Sequence, residues 1–478
     1  MTGRKILLFG TGDYYNRYKK WFPREDVLAL LDNAPDKQDT LLEGIPVVSP
    51  KQGVQLPYDI IVILSFYVKT MKRQLVELGV PEEKIYHFYD LNRLICSGNG
   101  EAAADYKKNI EYYGGAKQVE PSSAILLLTH DLTMGGPSLA LYHMALALLK
   151  QEKKVVMASM LDGPLREVLV QAGIPVIVDA NLQVETMRDA GWPEKFSLIV
   201  CNTINFHVFL SERNTDTPVV WWLHDSSFFY DGVNPGVLQA ISRKNMQVCA
   251  VGPVARKAME KFRTDLSIQD LLYGVADEVE GCEGTGNRPG TDRDRVCFVT
   301  IGYIEMRKGQ DILVKALRDM PDVMRGKAVF YMVGQDTSLL AGRIREEIEN
   351  MPGAVMTGVL DREEIHALLE QADVLICPSR EDPMPTVAAE AMMHGVPCIL
   401  SDATGTAGYI QDGQDGIVFH SGDTKQLSEK LVWCIEHPER LSDMGILARK
   451  VYENVFSVRV FEENVRHIMS KVQKTGGK

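Results

Sequence analysis

What most constrains this chain is the alternation, over its whole length, of short apolar runs with amphipathic intervals long enough for a helix. "KILLFGTG" (5–12), "YDIIVILSF" (58–66), "AILLLTHD" (124–131), "PVVWWLHD" (218–225), "VCFVTIGYI" (296–304) and "VLICPS" (374–379) are near-continuous apolar blocks, not every-other-residue patterns. A strand buried on both faces reads this way, and such strands belong to parallel sheets covered by helices on either side. The expected class is α/β.

A chain of 478 residues is too long for one core. Shifts in composition divide it into a Rossmann-like block over 1–97, a polar linker over 98–121, a second block over 122–278, and a Gly- and charge-rich linker over 279–295. A third block covers 296–455. The amphipathic segment "VRVFEENVRHIMSKV" then puts a helix in 456–478, expected to cross back to the second block. Two similar α/β blocks joined by a hinge enclose a cleft, and ligands in such sheets sit at the carboxyl ends of the strands.

With 45% hydrophobic and 24% charged residues the chain is globular. Its net charge of -12 is spread along the length without a basic stripe, which argues against nucleic acid as a partner. The eight cysteines form no C-x-x-C pair and read as buried free thiols of a reducing compartment. No run of about 18 uncharged apolar residues occurs, and the start "MTGRKILLFGTG" lacks a leader's apolar core. The expectation is a cytoplasmic protein, with peripheral contact at the inner face of a membrane left open.

The chemistry concentrates in "SREDPMPTVAAEAMMHG" (379–395), which sets Asp382 in a Pro-flanked loop and Glu390 among Ala, Val and Met. Pro385 suits the first helical position, and Gly395 and Pro397 stop the helix. The N-terminus of that helix, at Met384, Pro385, Thr386 and Val387, presents open amides and a partial positive charge to an anion such as a diphosphate. Glu390 is desolvated unless it accepts hydrogen bonds, which ribose hydroxyls would supply. The residues alone also allow Asp382 to cap the helix and Glu390 to pair with a distant Lys or Arg.

The longer stretch "SREDPMPTVAAEAMMHGVPCILSDATGTAGYIQDGQDGIVF" resembles the donor-site signature of family 4 retaining glycosyltransferases, with the GT-B fold of two Rossmann-like domains facing a cleft. The likeness runs over residues 122–475, about three quarters of the chain. It implies that Glu390 holds the ribose of a nucleotide-sugar and that Asp382 touches the transferred sugar. Where the family has Glu this chain has Asp382, which draws the carboxylate back by roughly 1.5 Å. "IGYIEMRKGQDILVKAL" (301–317) resembles the family's Lys-Gly segment and gives Lys308 the donor diphosphate; Tyr303 stands where the family often has Arg, and Arg307 is the substitute. "THDLTMGGPSLALYHMALAL" (129–148) resembles the Gly-Gly loop, whose Gly135 and Gly136 let backbone approach the phosphates. The match at "VVWWLHDSS" makes His224 the His facing the reacting sugar, beside Asp225.

The reaction implied is metal-independent transfer with retention by front-face attack, the leaving phosphate taking the acceptor's proton. Lys308, the helix start and the glycine amides stabilise the leaving group. His224 and Asp382 hold the sugar. "DRDR" (292–295) has Asp-x-Asp spacing but lies in the linker, so no metal is assigned. Apart from the nucleotide-sugar donor no cofactor is implied, and the acceptor is a glycan or lipid-linked glycan of a surface polysaccharide or glycoconjugate. A second reading, resting on Tyr303 and Asp382, is a non-catalytic subunit that positions a partner glycosyltransferase. The first block, with "FGTG" and Asp32 22 residues after Gly10, loosely resembles the N-terminal domain of bacterial sugar acyltransferases. Tyr15 replaces the third Gly of a dinucleotide fingerprint, so an inert or docking module is the competing expectation.

Overall fold

The computed structural model describes residues 3–96, 110–279 and 295–476. Half of the first expected linker, nearly all of the second, the Asp292-x-Asp294 pair and Cys282 lie outside them.

Three sheets follow one another. The first contains β1 (Ile6–Phe9), β2 (Val27–Leu31), β3 (Thr40–Leu42), β4 (Ile45–Val48), β5 (Ile60–Ile63) and β6 (Ile85–His87) in the order β3-β4-β2-β1-β5-β6. All its pairs are parallel except β3 with β4. The chain leaves β1 toward β2 and returns on the other flank at β5, so a hollow opens at the carboxyl end of β1.

The second sheet is built from β7 (Glu111–Tyr113), β8 (Ala124–Thr129), β9 (Lys154–Ser159), β10 (Val176–Val178), β11 (Leu198–Asn202), β12 (Val219–Leu223), β13 (Met246–Ala250) and β14 (Ile268–Asp270). Their order is β14-β13-β12-β11-β8-β9-β10-β7. β7 departs from the sequence expectation, because it comes from the stretch read as linker and pairs antiparallel with β10. Three mostly exposed polar residues on an edge carry no readable period.

The third sheet, all parallel, runs β17-β16-β15-β18-β19-β20, with β15 (Val296–Ile301), β16 (Ala328–Val333), β17 (Ala354–Gly358), β18 (Val374–Cys377), β19 (Cys398–Ser401) and β20 (Ile417–Phe419). Four helices place the site: α1 (Gly136–Leu149), α2 (Gln310–Asp319), α3 (Thr386–Met393) and α4 (Val458–Gly476).

Burial explains why these elements hold their places. Trp221 and Trp222 on β12 are wholly enclosed, and their indoles donate to the carbonyls of Thr203 and Leu271, each at 2.8 Å. Loss of such a side chain costs about 3–5 kcal/mol, so the strand that delivers His224 is rigidly anchored. α4 packs along α1 and β13, with Phe461 stacked on Trp222 at 5.9 Å. It rides on Gly274, where an added Cβ would lie 2.8 Å from the Phe461 Cβ. One apolar cluster joins the second sheet, α3 and α4, while the first sheet has a core of its own.

The first body is fastened to the second by polar and aromatic contacts. Trp21 donates to Gln183 at 2.9 Å, Tyr89 to Asn205 at 2.8 Å, and Phe66 meets Phe229 edge-on at 4.8 Å. Among the described residues no helix is long and apolar enough to cross a membrane.

Candidate active site between the second and third sheets

On the third-sheet side, β15 ends at Ile301 and the loop that starts at Gly302 returns to Lys308 and Gly309. Gly309 has φ +73°, and a Cβ there would lie 2.1 Å from the Pro378 carbonyl oxygen, so only glycine brings the start of α2 this close to the end of β18. Lys308 is thereby placed beside the loop after β18, and its Nζ donates to Asp382 Oδ2 at 2.6 Å. Arg307 lies 3.9 Å from the same oxygen while bonding Glu305 at 2.8 Å and the Glu381 carbonyl at 3.3 Å. Asp382 is buried, and its backbone is tied to the loop after β19 through Ala403 and Gly405. Lys308 and Asp382, to which the resemblance gives separate ligand groups, thus meet each other directly.

Pro385 is not the first helical residue. It is the N-cap of α3, with ψ 115°, and no side chain caps the helix. The residue before a helix keeps extended geometry, and the fixed φ of proline suits that position as well as the next. Asp382 therefore does not cap α3, and the first amides, at Thr386 and Val387, are left to a ligand or water. Met384 is buried and reaches across the cleft, its Cε lying 2.5 Å from where a Cβ on Gly252 would stand.

Glu390 is half-buried on α3, and while its carbonyl accepts the His394 amide at 3.2 Å, its carboxylate has no hydrogen bond among the described residues. Desolvation raises its pKa, against the pull of Arg362 and His366. Next to it, His366 bonds Glu278 at 2.7 Å and His394 at 2.8 Å. Burial, then His366, pushes the His394 imidazole down to about 4.

The second sheet supplies the facing wall. His224 follows β12, and burial together with the charge of His130 lowers its pKa to about 3, so the ring is neutral. Its Nε2 is enclosed without a partner, as is the Ser226 hydroxyl. Burial raises the Asp225 carboxyl to about 6, although it accepts the Ile204 amide at 2.6 Å. Gly135 is the N-cap of α1 and Gly136 its first residue, where a Cβ would meet open space. The loop before them is organised by Asp131, which accepts from Thr133 Oγ1 at 2.7 Å, Ser138 at 3.0 Å and Arg17 of the first body at 3.3 Å. Burial alone would raise Asp131, but His130, Thr133 and Arg17 hold it well below the usual carboxylate range.

One contact that the sequence reading passed over bridges the walls. Ser227, just past His224, donates from its amide at 2.8 Å and its hydroxyl at 2.5 Å to Glu381, the neighbour of Asp382. Tyr273, on the second-sheet side, has its pKa raised first by burial and then by the charges of Asp382 and Glu390. Only the acid directly before Asp382 hinted at the contact, and nothing local marks the tyrosine. Tyr303, by contrast, is 65% exposed and offers its carbonyl to Gln310 at 2.9 Å.

The hollow of the first sheet is satisfied internally. Asp32 accepts from the Ala34 amide at 2.9 Å and from Thr11, with Lys37 at 3.5 Å. Burial would raise its pKa, yet these partners keep it lowered.

Comparison with known proteins bears on the fold. Residues 287–451 match the family model described as glycosyl transferases group 1, residues 121–248 the one described as glycosyl-transferase family 4, and residues 2–86 one described as C2185-like, N-terminal. Anabaena HepE, solved in complex with UDP and glucose, superposes with a TM-score of 0.59 at 19% identity, covering 73% of this chain and 99% of that one. The fold is GT-B. A smaller α/β sheet domain precedes its two Rossmann-like domains, and the stretches that match the family 4 and group 1 models make up the two walls of the cleft.

Curated relatives agree at the level of the domain. The alpha-maltose-1-phosphate synthase of Mycolicibacterium smegmatis is 29% identical over 38% of this chain, and the alpha-D-kanosaminyltransferase of Streptomyces kanamyceticus 22% over 49%. The chain spans 50% of the first relative's length and 65% of the second's.

Proposed function

We propose that this chain is a retaining glycosyltransferase that moves a sugar from a nucleoside-diphosphate sugar to a glycan or lipid-linked glycan acceptor in surface polysaccharide or glycoconjugate assembly. One observation carries the reading: a Lys308–Asp382 ion pair lies beside the uncapped start of α3, the helix that carries Glu390, and the second-sheet wall ends in buried His224. UDP bound to HepE supports a uridine nucleotide as the first donor to try.

The chemistry follows from where charge develops. The bond from the anomeric carbon to the diphosphate oxygen breaks while a bond from an acceptor oxygen forms on the same face. The acceptor's proton passes to the departing phosphate, and the products are the glycosylated acceptor and a nucleoside diphosphate. Lys308, the amides of Thr386 and Val387 and those of Gly135 and Gly136 lie where they stabilise the developing negative charge. Those groups give the leaving group its counter-charge without a metal. Neutral His224 offers Nε2 to a sugar hydroxyl, and Glu390 accepts from the ribose. Tyr303, which favoured a non-catalytic subunit in the sequence, is directed to solvent and takes nothing from this set.

The test is release of nucleoside diphosphate from a panel of UDP- and GDP-sugars with mixed glycan acceptors, in the presence of a chelator, followed by NMR of the product's anomeric centre. Metal-independent release with unchanged anomeric configuration is expected. Absence of release from every donor overturns the reading, and an inverted product overturns the retaining mechanism.

A further inference from the structure

Asp32 has its partners, yet the hollow of the first sheet that it lines is an open cavity of about 440 Å³, the size of a small-molecule site. Two of the lining charges are already used, Arg17 on Asp131 at 3.3 Å and Asp32 on Lys37 at 3.5 Å, and the acid Asp13 borders the space as well. The described lining therefore offers a diphosphate no spare cation. An uncharged ligand needs none.

What the lining does offer is aromatic surface. Tyr14, Phe66 and Tyr67 all border the cavity; Tyr14 meets Phe66 edge-on at 4.4 Å, and Tyr67 is 58% exposed. The Tyr67 backbone is fixed, since its amide donates to Ser65 Oγ at 3.2 Å and its carbonyl accepts the Met71 amide at 3.0 Å. The rings continue onto the second body, where Tyr67 meets Phe228 at 5.5 Å and Phe66 meets Phe229 at 4.8 Å. One residue before Phe228, Ser227 bonds Glu381 across the cleft, and His224 stands three residues earlier. A single short segment, 224–229, thus joins the aromatic edge of the hollow to the second-sheet wall of the cleft.

A pyranose suits such a surface. Its C–H face packs on an aromatic ring, whose face carries negative charge, while its hydroxyls bond to carboxylates such as Asp13. We propose that the hollow of the first sheet, with Tyr67 and Phe228 leading from it to the cleft, is an acceptor subsite that holds a neutral sugar unit of the glycan away from its reacting end. This rests on the glycosyltransferase reading above, and it makes a longer acceptor bind more tightly than a single sugar.

The test is a saturation-transfer NMR titration of the full chain with maltotriose, cellotriose, chitotriose and mannotriose and with their monosaccharides, while calorimetry follows UDP and GDP. Wild type should bind at least one trisaccharide more tightly than its monosaccharide. Tyr67→Ala should weaken that trisaccharide about 5–10-fold, as loss of one stacked ring does, and Tyr67→Trp should restore it. Nucleoside-diphosphate affinity should stay within twofold in both variants. A trisaccharide affinity unmoved by Tyr67→Ala, or a diphosphate affinity that falls with it, overturns the proposal. Wild type that binds a nucleoside diphosphate but no trisaccharide overturns it and leaves the glycosyltransferase reading intact. Wild type that binds a trisaccharide through Tyr67 but no nucleoside diphosphate removes that reading, and the acceptor role with it.

Discussion

The hollow of the first sheet and the cleft between the other two lie at equivalent places, the carboxyl ends of parallel strands, yet their polar groups are treated differently. In the first, Asp32 is surrounded by the Ala34 amide, Thr11 and Lys37 and needs nothing more. On the cleft's second-sheet wall, His224 Nε2 and the Ser226 hydroxyl are enclosed without partners. Topology marks both as ligand sites. Satisfaction of the buried polar atoms separates them, because an enclosed unpaired group is costly unless a ligand completes it.

The largest expected effect lies in the cleft. Lys308→Ala should lower nucleoside-diphosphate release by about 10²–10³-fold, as loss of a preorganised charge at a leaving group does. Turnover within threefold of wild type would erase the distinction from the cleft's side. A nucleotide-sugar at 100 times its dissociation constant should next stabilise the wild type by about 2.7 kcal/mol in thermal unfolding. Asp32→Ala should retain that stabilisation, and Glu390→Ala should lose it.

The two acids also differ in sign with pH. Asp225, raised to about 6, contributes stability that is full below the unfolded carboxyl value near 4 and is lost as pH rises through 6. Asp32, lowered, contributes stability present above the unfolded value and lost as the medium is acidified. Urea unfolding should therefore show Asp225→Asn gaining on wild type by about 2 kcal/mol between pH 4.5 and 7.5, whereas the deficit of Asp32→Asn is already full and flat over that range and shrinks only on acidification below the unfolded value near 4. Parallel trends in the two variants would contradict the contrast. The smallest effect is expected at Arg17, which ties the first body to Asp131: Arg17→Ala should reduce release about twofold through the loop it steadies, as for a half-exposed ion pair.

How much of this could be read from the sequence depends on the range of the interaction. The runs "AILLLT" and "VCFVTI" announce parallel strands because burial on both faces writes itself into consecutive residues. α3 was legible with Gly395 as its stop, whereas Pro385 as N-cap was not, since proline serves either position. Glu111–Tyr113 was missed because three polar residues on an edge carry no pattern. Ser227 and Glu381 lie 154 residues apart, and nothing local pairs them. Nothing local in the sequence marks the Tyr273 hydroxyl as a buried group without a partner.

Calorimetric titration of the wild type, Glu390→Ala and Asp32→Ala with a nucleotide-sugar tests the central claim most directly. One site per chain, abolished by Glu390→Ala and untouched by Asp32→Ala, is the expected result. Binding that survives Glu390→Ala and disappears with Asp32→Ala would place the donor in the first sheet's hollow and contradict the account.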